Sequence, residues 1–142
     1  EGYHNHRVYY DDPNKLMDPN VKKRMFTGRA LSAQSHADRI EKRQGDQAVF
    51  QAAFSAFDAL LTPTLLQPAI KLSDVDEDKS PGHFTRPFNY IDMCALSLPT
   101  ALSAEGLPTS IQIVLPAGQE GFAIKMGSAL EAALGISVRP KL

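Results

Sequence analysis

The order in which hydrophobic periodicities follow one another restricts this fold more than any other feature. A helical first third is followed by one short apolar run, a long irregular stretch, a short helix, two strand-like runs and a final helix. Helices alternating with strands predict an α/β arrangement. Three strand-like runs are too few to finish a sheet covered on both faces, so at least one strand edge is expected to lie open, which natural domains avoid. A chain of 142 residues is one domain or a piece of one. The opening Glu1-Gly2-Tyr3-His4-Asn5-His6-Arg7 has neither an initiator Met nor the apolar core of a signal peptide. The sequence is therefore expected to start inside a longer chain and to supply the C-terminal part of a larger α/β domain.

The segments follow from local chemistry. Residues 1–57 read as mainly helical. Met17 to Met25 is a short polar helix whose Lys22-Lys23-Arg24 cluster forms a solvated face. Gly28 breaks the pattern, and Ser32 suits the N-cap of a long helix running toward Phe57. Phe50, Phe54 and Phe57 share one face of that helix, with Val49, Ala53 and Ala56 beside them, and deep burial is expected there. Residues 58–62 read as a strand, its Ala59-Leu60-Leu61 run suiting a buried position in a parallel or mixed sheet. Residues 63–86 read as a loop. Within it Asp74, Asp76 and Asp78 imitate the start of a calcium loop, but Lys79 stands at the turn-glycine position and Thr85 at that of the bidentate Glu.

Residues 87–116 read as a short helix, Phe88 to Met93, and a strand pair, Ala95 to Pro99 and Ser110 to Leu115, joined across a turn at Glu105-Gly106. Strict alternation places Ile111, Ile113 and Leu115 on one face and Gln112 and Val114 on the other. Residues 117–135 read as a helix with Phe122, Met126, Ala129, Leu130 and Ala133 as its apolar stripe, Glu120 at its positive end and Gly135 as its C-terminal cap.

Composition excludes whole classes of function. Fifteen Lys and Arg against sixteen Asp and Glu leave a net charge of −1, without the positive field that nucleic acid or a membrane surface requires. No apolar run approaches the roughly 20 residues that span a bilayer. Cys94 is the lone cysteine, so an internal disulfide framework is ruled out. Its neighbours Met93 and Ala95 are apolar, a setting expected to leave the thiol inert. His4 and His6 lack a third metal ligand nearby, and His36 and His83 suit surface roles. There is no phosphate loop of glycines, no G-x-S-x-G elbow and no serine in a glycine-flanked turn. The chain thus holds no self-sufficient active site.

Two stretches are specific enough to point to a family. From Phe84 the sequence reads F-T-R-P-F-N-Y-I-D-M-C-A-L-S-L-P, then E-G-L-P-T-S-I-Q-I-V, then Q-E and the last helix. This resembles the C-terminal portion of amidase signature enzymes, with their N-x-x-G-x-P-A-x-S-x-P segment, G-L-P-x-G-x-Q turn and strand, and D-E helix start. F-D-A-L-L-T-P-T (Phe57 to Thr64) is similar to the family's strand entering a T-P-T turn, and G-R-A-L-S-A (Gly28 to Ala33) to its G-x-x-x-S-A helix start. Arg139-Pro140 resembles the family's ending. Asp92 and Ser110 stand where the motifs have glycine, Cys94 where they have proline, and Ala101 where glycine is common. Lost glycines restrict backbone angles and close approach, which bears on pocket shape and substrate more than on fold.

The resemblance implies the C-terminal part of the amidase signature fold, a mixed β-sheet covered by helices. It also implies a Ser–cis-Ser–Lys triad that hydrolyses amides through an acyl-enzyme. In that chemistry a neutral Lys takes a proton through the bridging Ser while backbone N–H groups hold the oxyanion. The family's triad lies upstream of the matched segment, so no catalytic residue is expected here. The segment facing the family's acyl pocket corresponds to Thr85, Phe88, Asn89 and Asp92, and a helix there would put Thr85, Phe88 and Asp92 on one face. Phe88 serves equally as core, Asn89 as a backbone tie and Asp92 as a solvent contact; as pocket wall, Asp92 would favour a cationic substrate group. A small-molecule amide and the N-terminal part of the same domain are the expected partners. A homodimer and a cytoplasmic location are also expected, and neither cofactor nor metal. A noncatalytic relative, or the glutamine-amidase subunit of an amidotransferase, is the alternative.

Overall fold

In the computed structural model residues 1–135 are described, and two compact units divide the chain, Glu1–Lys42 and Arg43 onward. Arg139-Pro140 lies outside the described residues.

The first unit is helical, as its sequence predicts. Helix α1 (Gly2–Tyr10) kinks at His6 and closes on aromatic contacts: Tyr3 stacks on Tyr10 at 6.4 Å and meets the Phe26 edge at 5.8 Å. The Tyr3 hydroxyl donates to the Asp11 carboxylate at 2.8–2.9 Å. Helix α2 (Pro19–Phe26) begins two residues later than the periodicity predicts, because Asp18 accepts from the Val21 N–H at 2.9 Å and Pro19 supplies a preset first turn. The helix then tightens into a 3₁₀ turn, Thr27–Ala30, across Gly28. Helix α3 (Ala33–Phe54) starts where Ser32 Oγ accepts from the Ser35 N–H at 3.1 Å.

The second unit is built around one strand. β1 (Leu60–Pro63), β2 (Met93–Leu102) and β3 (Pro108–Pro116) form a sheet in the order β1-β3-β2, with both pairings antiparallel. The central β3 buries both faces: Ile113, Val114 and Leu115 are about as dry as a side chain becomes, and Gln112 is buried as well. On one face, Ile113 and Leu115 pack with Ala123 of α5 (Glu120–Leu134), joined by Met126, Leu130, Leu96 and Leu98. On the other, Val114 packs with Phe88 of α4 (Arg86–Tyr90) and Ile91, joined by Phe50, Leu60 and Met93. Helices thus cover both faces, and the alternation read in 110–115 is the alternation between two cores. The hairpin between β2 and β3 closes where expected, the Ser103 N–H donating to Leu107 O at 2.7 Å and Gly106 taking φ +76.

Four expectations are corrected by packing. β1, expected at a buried position in a parallel or mixed sheet, pairs antiparallel at the edge of the three-stranded sheet, and Leu61 is exposed because α5 covers β2 and β3 but not β1. α3 ends at Phe54, so Phe57 leaves the stripe shared by Phe50 and Phe54, whose rings stack at 5.9 Å. Val49, Ala53 and Ala56 are exposed, since only the Phe50–Phe54 edge meets the sheet core. On α5 the buried line is Ala123, Met126, Gly127 and Leu130, leaving Phe122, Ala129 and Ala133 exposed. Gly127 sets that rotation: a Cβ there would sit 2.4 Å from Leu96 Cδ2, so the helix approaches β2 closely only because this residue has none. Gly135 caps α5 with φ +61.

Candidate functional site

The segment from Ser80 to Met93 crosses one side of the sheet, and its shape follows from three local causes. Pro87 near the start of α4 presets the first turn, while Gly82 O accepts from the Arg86 N–H at 2.9 Å. α4 is only five residues long and stops at Tyr90. Asp92 then adopts φ +56, a left-handed conformation that Asp tolerates better than most non-glycine residues. That angle explains why a motif of this kind carries glycine at the position.

The sequence-predicted residues therefore separate. Thr85 is half-buried at the start of α4, and its carbonyl accepts from the Asn89 N–H. Phe88 is buried in the core beside Ile91 and Val114. Asn89 is exposed. The helical face that would gather Thr85, Phe88 and Asp92 does not exist, because the helix ends two residues before Asp92.

Asp92 is instead held from across the unit. Its Oδ1 pairs with Arg43 Nη2 and its Oδ2 accepts from Gln47 Nε2 at 2.8 Å. Arg43 Nε also donates to Tyr90 O, and the Tyr90 hydroxyl donates to Asp46 Oδ2 at 2.9 Å. Arg43, Asp46 and Gln47 occupy i, i+3 and i+4 of α3, one face of a helix. Together they clamp the turn between α4 and β2. Periodicity gives no sign of this, because the clamp joins residues more than 40 positions apart.

Gln112 forms a second tie. Buried in β3, its Nε2 donates to Thr62 Oγ1 at 2.9 Å and to Phe84 O at 2.8 Å, with Pro63 O farther away at 3.4 Å. An amide NH₂ has two hydrogens, so the two short bonds are the main ones. This side chain fixes the segment entering α4 to the sheet. The E-G-L-P-T-S-I-Q motif contains it; alternation alone marks only its face.

Ser80, Gly82, His83, Arg86, Pro87 and Tyr90 surround an open hollow of about 610 Å³. Arg86 and Tyr90, four residues apart, share the α4 face that borders it. A second hollow of about 480 Å³ lies between the end of α3 and the start of α5, walled by Phe54, Phe57, Met93 and Phe122. Among the described residues no group of three His, Cys, Asp or Glu side chains converges to hold a metal ion. No helix among them is long and apolar enough to cross a membrane. Cys94 donates to Pro116 O at 3.3 Å and is half-buried.

Comparison with known proteins places this architecture. A family model described as Amidase matches residues 4–122. A glutamyl-tRNA(Gln) amidotransferase subunit from Granulibacter bethesdensis is 34% identical over 131 residues, covering 86% of this chain and 26% of its own length. A crystal structure of an amidase superposes with a TM-score of 0.79 at 29% identity, over 92% of this chain and 32% of its own. Allophanate hydrolase from Kluyveromyces lactis shares the fold at TM-score 0.81 and 20% identity, over 92% of this chain and 22% of its own. The chain thus spans about a fifth to a third of the length of these proteins.

Proposed function

This chain belongs to the amidase family, and from that premise we propose that it is the C-terminal segment of an enzyme hydrolysing a carboxylic amide C–N bond through a serine acyl-enzyme. The observation that carries the reading is the match of a family model across residues 4–122. The Ser–cis-Ser–Lys triad lies outside these 142 residues. Their contribution is one wall of the acyl pocket, in which Thr85, Asn89 and Asp92 border the substrate and Phe88 braces them from the core. The small-molecule amide and the triad-bearing part of the same domain are the partners of this wall.

The supporting chemistry is division of labour. Acyl transfer needs a nucleophile, a proton acceptor and an oxyanion hole held to within a few tenths of an ångström. A wall tied to a sheet by Gln112 and to α3 by Arg43 and Gln47 supplies such rigidity without performing chemistry. The test compares amide hydrolysis by the isolated 142 residues and by the intact protein that carries them. Turnover by the intact protein alone is expected. Serine-dependent turnover by residues 1–142 in isolation sinks the reading.

A second reading has its own support. The relative at 34% identity belongs to an amidotransferase, in which case the amide is glutamine and the product ammonia passes to a partner. Glutamine hydrolysis that appears only when partner proteins co-purify selects this reading over a free-standing hydrolase.

A further inference from the structure

The charges around α4 are distributed unevenly. Asp92 has both carboxylate oxygens engaged, one by the Arg43 guanidinium and the other by the Gln47 amide, so the pair presents no net charge. Asp46 already accepts from the Tyr90 hydroxyl. None of the six residues around the 610 Å³ hollow is acidic. Arg86 differs from all of these: its guanidinium has no hydrogen-bond or ion-pair partner among the described residues. Its stem is nonetheless seated, since a Cβ on Gly82 would meet Arg86 Cγ at 2.9 Å and Cδ at 3.1 Å. The glycine leaves room for the aliphatic chain to lie against the backbone, and Arg86 lines the hollow together with Tyr90.

We propose that Arg86 is the specificity-determining residue of this wall and takes a carboxylate carried on the acyl portion of the amide substrate, with His83 and Tyr90 flanking it. This rests on the amide-hydrolase reading above and narrows its substrate class to acidic amides. The physical basis is geometric and electrostatic. A guanidinium presents paired N–H donors that match a carboxylate fork, and such charge-assisted bonds are roughly twice as strong as neutral ones. Asp92, its charge cancelled by Arg43, shapes the turn and does not attract a cationic group.

The experiment uses the intact protein and a pair of amides alike in size, one bearing a carboxylate and the other a neutral carboxamide at the same acyl position. The ratio of their kcat/KM values is read for the wild type, Arg86→Gln, Arg86→Lys and Asp92→Asn. The wild type is expected to prefer the carboxylate, and Arg86→Gln to lower that preference about tenfold or more, mostly through KM. Arg86→Lys keeps the charge and restores part of it. Asp92→Asn frees the Arg43 charge and raises the preference a few-fold, an effect that shrinks with added salt. A ratio in Arg86→Gln within twofold of the wild type, with turnover of the neutral amide retained, overturns the inference and leaves the amide-hydrolase reading standing. A preference for a cationic amide that Asp92→Asn abolishes also overturns it. An intact wild-type protein that hydrolyses no amide removes the reading itself, together with this inference.

Discussion

β3 and α4 are neighbours in the same unit, yet they are held in opposite ways. β3 is secured by apolar burial on both faces, where Ile113 and Leu115 meet α5 and Val114 meets α4. α4 gives only Phe88 to that core; the rest of its position comes from polar ties, through Gln112 to Phe84 O and through Arg43 and Gln47 to the turn at Asp92. Stability therefore rests on β3, and the orientation of α4 on polar ties. Dispersion and desolvation are insensitive to direction and suit a scaffold, whereas hydrogen bonds fix angles, as the wall proposed above requires.

Substitutions in β3 break the comparison most severely. Ile113→Ala removes a fully buried side chain and is expected to cost about 2–5 kcal/mol in urea unfolding, with little effect on selectivity among amides. Gly127→Ala sets helix propensity, a gain of about 1 kcal/mol, against a forced 2.4 Å approach to Leu96. Overpacking wins, and a net loss of about 1–3 kcal/mol is expected in the same measurement. Gln112→Ala orphans the Phe84 carbonyl and takes a donor from the Thr62 hydroxyl, which keeps its bond to Pro63 O, with an expected loss of about 1–2 kcal/mol and a visible shift in the amide resonances of 84–90.

The polar wall responds more gently. Arg43→Gln removes a partly exposed ion pair worth about 0.2–1 kcal/mol. Its thermal midpoint is therefore expected to move little, while the turn at 90–92 loosens in hydrogen exchange. The smallest effect belongs to the hairpin tip. The Ser103 hydroxyl, with help from the backbone of Glu105, holds the Glu105 carboxyl below its ordinary range. Its support for the hairpin is thus present above that range and fades as pH falls through the lowered value. Ser103→Ala is expected to move the Glu105 titration upward, as followed by carboxyl NMR; an unmoved titration removes the hydroxyl from the account.

The sequence disclosed those parts of the fold whose causes are local. Ser32 and Gly135 mark helix ends because caps satisfy neighbouring backbone groups, and the alternation of Ile111 to Leu115 marks β3 because side chains on a strand face opposite ways. Burial at a distance was not legible. Val49 and Phe122 sit on plausible apolar stripes and are exposed, because which edge of a helix is covered depends on distant elements: Phe50 meets the sheet core on α3, and the Gly127–Leu96 approach sets the rotation of α5. The site was legible only as a segment. T-R-P-F-N-Y-I-D marks the proposed wall, but Arg43 and Gln47, which hold Asp92 by hydrogen bonds, lie 49 and 45 residues upstream with no local signal of their own.

The decisive measurement for the proposed acyl-enzyme is the mass of the intact protein after brief exposure to a carboxylic amide, followed by peptide mapping. An acyl adduct is expected on a serine outside residues 1–142, and none within them. An adduct on a side chain of this segment, or hydrolysis that proceeds with no acylated serine anywhere in the protein, contradicts the proposal.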